Sequence, residues 1–150
     1  MMSILISGPL PRGVTSKDVH DTVVATFRGA KKTATGSLSV QFVTEKKIAS
    51  LNATYRNKRR STDVLSFSSI EGKGMPKAPS KEFEWGDLFV CAPYAKREAS
   101  RRSIPLSEEI IRLVSHGTLH LLGYDHATEP EEAKMFTIQE AVVERMSDDV

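Results

Sequence analysis

Two hydrophobic periodicities alternate along the chain. The run Ser3-Ile4-Leu5-Ile6-Ser7 is short and apolar and predicts a first strand. Thr15 and Ser16 are helix-capping types, and Val19, Val23, Val24 and Phe27 follow at helical spacing. Leu38, Val40 and Phe42 alternate with Ser37, Ser39 and Gln41, the pattern of a half-buried strand. Thr44 offers a cap for a short helix with Ile48, Leu51 and Tyr55 on one face. Asp63-Val64-Leu65-Ser66-Phe67 predicts a third strand and Asp87–Ala92 a fourth. Between them, Glu71 to Trp85 carries Gly72, Gly74, Pro76 and Pro79 among lysines. It reads as a long mobile loop inside one domain, because too few residues flank it for two cores.

The C-terminal half reads as three helices. Pro93 suits the first turn of one that runs to about Arg101. Ser107-Glu108-Glu109 opens the strongest, and its apolar residues Ile110, Ile111, Val114, Leu119, Leu121 and Leu122 cover much of its circumference. Such a helix belongs at the centre of a fold. Gly123 ends it as a left-handed glycine. Thr128 and Glu131 form a capping-box pattern, with Pro130 in the first turn of a last helix that reaches about Met146. The order β-α-β-α-β-β-α-α-α predicts one small α+β domain over residues 1–150, a mixed four-stranded sheet packed with about five helices.

Composition narrows the chemistry. A chain of 150 residues holds one core without staples. A net charge of +2 neither demands nor excludes a nucleic-acid partner. The single cysteine, Cys91, excludes an internal disulfide framework and a Cys-rich zinc site. It reads as core packing. No window is long and apolar enough to span a membrane. The stretch Met1–Pro9 lacks the basic region and the length of a secretory signal, so the expectation is a cytoplasmic protein with no membrane partner.

Three of the four histidines fall together: His116-Gly117-Thr118-Leu119-His120-Leu121-Leu122-Gly123-Tyr124-Asp125-His126. Four residues turn a helix by ~400° and advance it ~6 Å, so His116 and His120 project from one face. On a straight helix His126 would lie ~15 Å away and ~80° off that face. A left-handed Gly123 lets the chain double back and bring His126 beside them. Three neutral imidazoles suit one Zn²⁺ per chain, with nickel or copper as alternatives on ligand type, and leave a fourth position for water, which points to catalysis more than to structure. His20 has no such company and reads as structural or exposed.

The pattern is similar to that of the metzincin proteases, whose third histidine also follows a helix-ending glycine. The glutamate that serves them as general base is Gly117 here, which argues against peptide hydrolysis. The histidine block more closely resembles the signature of the YbeY endoribonucleases, bacterial ribosomal-RNA maturation factors. Two further blocks support the resemblance: Leu51-Asn52-x-x-Tyr55-Arg56-x-Lys58 with Thr62-Asp63-Val64-Leu65-Ser66-Phe67, then Trp85-Gly86-Asp87-Leu88. Together they span about residues 40–146. The chain departs from the family pattern at Arg59-Arg60-Ser61, where an acidic residue and a proline are usual, and at Ser68, where proline is usual.

The resemblance implies a small α+β fold with a metzincin-like metal helix. It implies a metal-dependent endoribonuclease selective for single-stranded RNA, active in maturing the 3′ end of small-subunit ribosomal RNA and in ribosome quality control. Its partners are then ribosomal RNA or a ribosomal subunit. It gives His116, His120 and His126 the zinc-ligand positions and Arg56 the position of a functionally important arginine. The residues themselves point the same way at Arg56, Lys58, Arg59 and Arg60, four cations in five positions. A bidentate arginine suits the charge that develops on a phosphodiester. Lys31-Lys32 and Arg101-Arg102 could extend that track. Asp125 is the candidate either to orient a histidine or to act as base. Tyr124 is as suited to packing as to hydrogen bonding, and Asp63 to bracing its loop. A metal-dependent hydrolase of peptide or another substrate and a non-catalytic ribosome-assembly factor with a structural zinc are the alternative readings.

Overall fold

The computed structural model describes residues 2–71, 81–125 and 127–148. Its elements follow the predicted order: β1 (Met2–Ser7), α1 (Ser16–Gly29), β2 (Gly36–Phe42), α2 (Glu45–Arg56), β3 (Val64–Ser68), β4 (Glu84–Val90), α3 (Ala92–Arg101), α4 (Leu106–Leu121) and α5 (Glu129–Asp148). Local chemistry sets their ends. Thr15 and Asp18 exchange the two bonds of a complete capping box at the start of α1. Thr44 accepts from the Lys47 amide at the start of α2, and Thr128 from the Glu131 amide at the start of α5.

Two boundaries differ from the sequence reading. Strand β4 begins at Glu84, so Trp85 and Gly86 belong to the sheet and not to a loop. Packing decides this: Trp85 is buried, meets Phe27 and Phe83 edge-to-face, and donates its indole N–H to the Thr35 carbonyl at 2.8 Å. At its other end the strand stops at Val90, and Cys91 becomes the N-cap residue of α3. Of the stretch expected as a mobile loop, residues 72–80 lie outside the described residues.

The sheet order is β1-β2-β4-β3, with β3 antiparallel and the other pairs parallel, which is the expected mixed sheet. Its inner face, with Leu38, Val40, Leu88 and Val90, packs in one core with Val23 and Phe27 of α1 and Ile110, Val114 and Leu119 of α4. Helix α4 is buried on most sides, as its sequence demands. Along the outer face, Leu5, Ser39, Asp87 and Phe67 stand in register across the four strands. That face stays largely open, since Leu5 and Asp87 are exposed and Ser39, Phe67 and Phe89 only half-buried, and α2 reaches it through Tyr55 at Phe67.

Buried polar groups join the helices. Thr26 of α1 and Ser115 of α4 share a hydrogen bond of 2.8 Å in the core. Arg112 of α4 grips Glu140 of α5 through two bonds of 2.9 and 3.0 Å. It also reaches the buried Glu109, which Arg102 approaches at 3.0 Å from the other side. Burial pushes the Glu109 carboxyl up, and the two guanidiniums pull it back down. Losing both arginines would strand a buried carboxylate, the costly half of a buried ion pair.

Gly117 fixes how closely α4 lies on the sheet. A Cβ placed there would stand 2.7 Å from Leu88 Cδ2, inside contact distance. Leu88 is fully buried, so it has little room to move aside. Gly117→Ala should therefore cost about 1–3 kcal/mol through overpacking, despite the better helix propensity of alanine. Leu88→Ala alone should cost about 2–5 kcal/mol. The double variant should cost clearly less than the sum, because the new methyl fills the space the leucine leaves. Chemical denaturation of the four proteins measures this, and strict additivity would overturn the contact.

Candidate functional site

The site is built where α4 stops. The Gly123 amide donates to the His120 carbonyl and the Tyr124 amide to the Leu119 carbonyl, both at 3.0 Å. This is a Schellman end, and Gly123 takes the left-handed conformation it requires, with φ +95°. The expected helix-ending glycine is present, and it does a second job. The turn brings the Tyr124 carbonyl back to His120, whose Nδ1 donates to it at 2.9 Å.

His116 is held by a residue the sequence reading missed. Its Nδ1 lies 2.8 Å from Oε1 of Gln139 on α5. The Gln139 amide donates its own N–H to Glu140 at 3.0 Å. Hydrogen bonds from Arg112 hold the Glu140 carboxyl below the usual carboxylate range, so it only accepts. That fixes which end of the Gln139 amide faces His116. The signal was a polar side chain on the buried stripe of α5, with Met135, Val142 and Val143.

Both histidines thus donate from Nδ1 to an oxygen, which leaves the lone pair of each ring on Nε2. Those two Nε2 atoms stand 3.1 Å apart. Two lone pairs facing each other repel unless a proton or a metal cation stands between them. One ion at ~2.0–2.1 Å from each nitrogen spans that gap. Among the described residues no third His, Cys, Asp or Glu completes a metal-binding group. His126, the third expected ligand, lies outside the described residues.

Two basins flank the pair, and both are lined by Arg56, Ser66 and His120. The first, about 410 Å³, adds Lys58, Arg60 and His116. Its described lining contains three cations and no carboxylate. The second, about 520 Å³, adds Glu71 and the exposed Asp125, so cation and anions meet there. Asp125 therefore shares a basin with His120, as its candidacy requires.

Asn52 shapes the cationic turn. Its buried amide donates to the Arg60 carbonyl at 2.9 Å, and its own carbonyl accepts the Lys58 amide at 3.1 Å. Asn57 turns the chain in the left-handed region between them. The sequence marks Asn52 only by its place in the Leu51-Asn52-x-x-Tyr55-Arg56 block, and its burial and partners come from the fold.

Arg56 is less open than expected. One Nη donates to the Ser66 carbonyl on the free edge of β3 at 2.6 Å. The other meets Glu71 at 3.2 Å, and the guanidinium lies 4.7 Å over the Phe67 ring. Glu71, mostly exposed, thus sits where an incoming anion would meet the fork.

Other sequence candidates fall elsewhere. Arg101 pairs with Glu98 and Arg102 with Glu109, and neither pair offered as a basic extension lines these basins. Cys91 is buried in an apolar setting that pushes its thiol up. His20 stands partly exposed beside Asp21 at 3.4 Å. Gly117 lines the first basin, and the Leu88 contact leaves no room there for the glutamate of a metzincin.

The family model described as endoribonuclease YbeY matches residues 13–147. An endoribonuclease YbeY from Desulforamulus reducens is 42% identical over 105 residues, covering 70% of this chain and 69% of that one. One from Xanthomonas campestris pv. campestris is 36% identical over 150 residues, 99% of this chain and 91% of its own. A solution structure of a Thermotoga maritima protein superposes with a TM-score of 0.64 at 27% identity, covering 99% of this chain and 91% of that one. The matched span contains β2, the cationic turn, β3, the histidine helix and all but the last residue of α5, and on that match this chain belongs to the endoribonuclease YbeY family.

Proposed function

We propose that the protein is a zinc-dependent endoribonuclease that cuts single-stranded RNA, matures the 3′ end of small-subunit ribosomal RNA and serves ribosome quality control in the cytoplasm. The observation that carries this is the convergence of the His116 and His120 Nε2 atoms, 3.1 Å apart, on a basin lined by three cations. His116, His120 and His126 would hold the metal. A bound zinc supplies Lewis acidity toward a phosphoryl oxygen and lowers the pKa of coordinated water.

The chain's own residues do the rest. Arg56, Lys58 and Arg60 bind and orient the phosphodiester, and their charge offsets what develops on its non-bridging oxygens. Tyr124 and Gln139 keep the histidines in the tautomer that presents Nε2 to the basin. Asp125, which lines the second basin with His120, would either orient a histidine or take and return a proton. Single strands suit this site because they bend at little cost to bring one phosphate into a cleft, whereas an A-form duplex holds its backbone in a fixed path.

The decisive experiment is a matched pair: one labelled RNA, alone and annealed to its complement, incubated with metal-replete protein. The single strand should be cut and the duplex spared at low and at high salt, while overall cleavage falls as salt rises. Equal cutting of both forms would remove the single-strand selectivity. No cutting of either would move the reading to a non-catalytic assembly factor.

Metal binding has its own test. His126→Ala should lose most of its zinc by elemental analysis and melt at a lower temperature than wild type. Full metal content in that variant would overturn the ligand set.

Glu71 gives a further prediction. Glu71→Gln removes a carboxylate from the Arg56 fork, an exposed contact worth about 0–1 kcal/mol. Single-stranded RNA should bind up to about fivefold more tightly, with zinc content unchanged. Unchanged or weaker binding in a fluorescence titration would show that Glu71 does not compete with phosphate.

A further inference from the structure

An aromatic cluster sits just behind the cationic edge. Tyr55 of α2 is 63% exposed, unusual for a ring in an ordered helix. It meets Phe67 of β3 edge-to-face, with centroids 5.4 Å apart and planes at 70°. Phe67 meets Phe89 of β4 in the same way at 5.7 Å. Phe67 and Phe89 lie half-buried on the outer sheet face, which α2 reaches through Tyr55. Tyr55 and Phe67 each adjoin in sequence a residue that lines both basins, Arg56 and Ser66 respectively. The cluster therefore begins where the basins end, across the free edge of β3.

We infer that Tyr55, braced by Phe67 and Phe89, is a stacking platform for a base of single-stranded RNA next to the phosphate held at Arg56. This rests on the RNA reading above and adds a subsite to it. The occupant follows from charge and exposure together. In sequence the exposed ring is followed at once by Arg56, Lys58, Arg59 and Arg60, and the Arg56 guanidinium shares the Phe67 ring with it, so an apolar partner would meet a cationic segment. A nucleotide strand offers both complements, a flat base for the ring and phosphates for the cations. Stacking tolerates any base because every base has a π-face. Phe67 has a bracing role, because the Arg56 guanidinium already lies over its ring. Edge-to-face contact with Phe67 orients the Tyr55 ring while leaving most of its surface to solvent.

The test separates bases from phosphates. The probes are a short uridine oligonucleotide and the same backbone made abasic at every position, with intactness checked on a gel. Wild type should bind the intact strand roughly tenfold more tightly than the abasic one. Tyr55→Phe should keep that preference. Tyr55→Leu retains an apolar contact for Phe67 but has no ring, and it should lose the preference while binding the abasic strand like wild type. A thermal melt of each variant confirms its fold. Rising salt should weaken both probes and leave the ratio between them intact. If wild type binds both strands equally, or if Tyr55→Leu keeps the preference, the platform is wrong. Cleavage by wild type is scored separately, so loss of base preference with cleavage intact overturns the platform alone, and absence of cleavage overturns the nuclease reading.

Discussion

The fold depends on how closely α4 can lie against β4. That helix supplies the centre of the core through Ile110, Val114 and Leu119 and carries the histidine pair on its last turns. The two duties conflict. A helix buried on most sides cannot also present a catalytic face unless one flank opens at its end. Gly117, against Leu88, lets the helix sink into the sheet. Gly123 then stops it within a turn of His120. The histidines consequently stand at the boundary between core and cleft, half-buried, with their backbone anchored in the helix that packs at the centre of the core.

Rigidity of the backbone alone does not set the chemistry of an imidazole; the hydrogen on one nitrogen does. Here two unrelated devices set it. His120 is fixed locally, by the carbonyl that the Schellman turn delivers. His116 is fixed from a distance, through Gln139, Glu140 and Arg112, which span α4 and α5. The same ionic cluster that docks α5 therefore also orients a site residue. Packing of the last helix and the state of His116 are linked, although α5 contributes no residue to either basin.

Much of this was legible in the sequence, and the reasons differ by element. Strand β2 alternates cleanly because one of its faces is core, so its period-two signal is strong. Helix α4 declared itself by apolar residues on nearly every side. The His116–His120 spacing and Gly123 are local facts, set within one helix and its end. Gln139 was hidden because its task depends on α5 folding back across α4, a contact between residues 23 positions apart. Trp85 was misplaced because Gly86 and the glycines and prolines before it suggested a loop, whereas tertiary burial of the indole carries the strand three residues further back. The sequence showed the charge of Arg56 but not its partners. The Ser66 carbonyl that holds it comes from a strand edge, and such backbone acceptors leave no mark in side-chain patterns.

The two basins finally differ in charge, and that difference comes from how the cationic turn is held. Lys58 and Arg60 are positioned through their backbones by Asn52, so the described lining of the first basin needs no carboxylate to fix them. Their charge stays available to a ligand. On the second basin Arg56 already faces Glu71, with Asp125 nearby, and the net field is weaker. A polyanion is drawn to the first basin and meets resistance from the second, which gives a chain crossing the site a preferred side of entry. Arg56, shared by both, sits at the divide, with its guanidinium tied to the β3 edge and laid over Phe67. The position of that one side chain is thereby set by a backbone oxygen and an aromatic ring, neither of which an anion can neutralise.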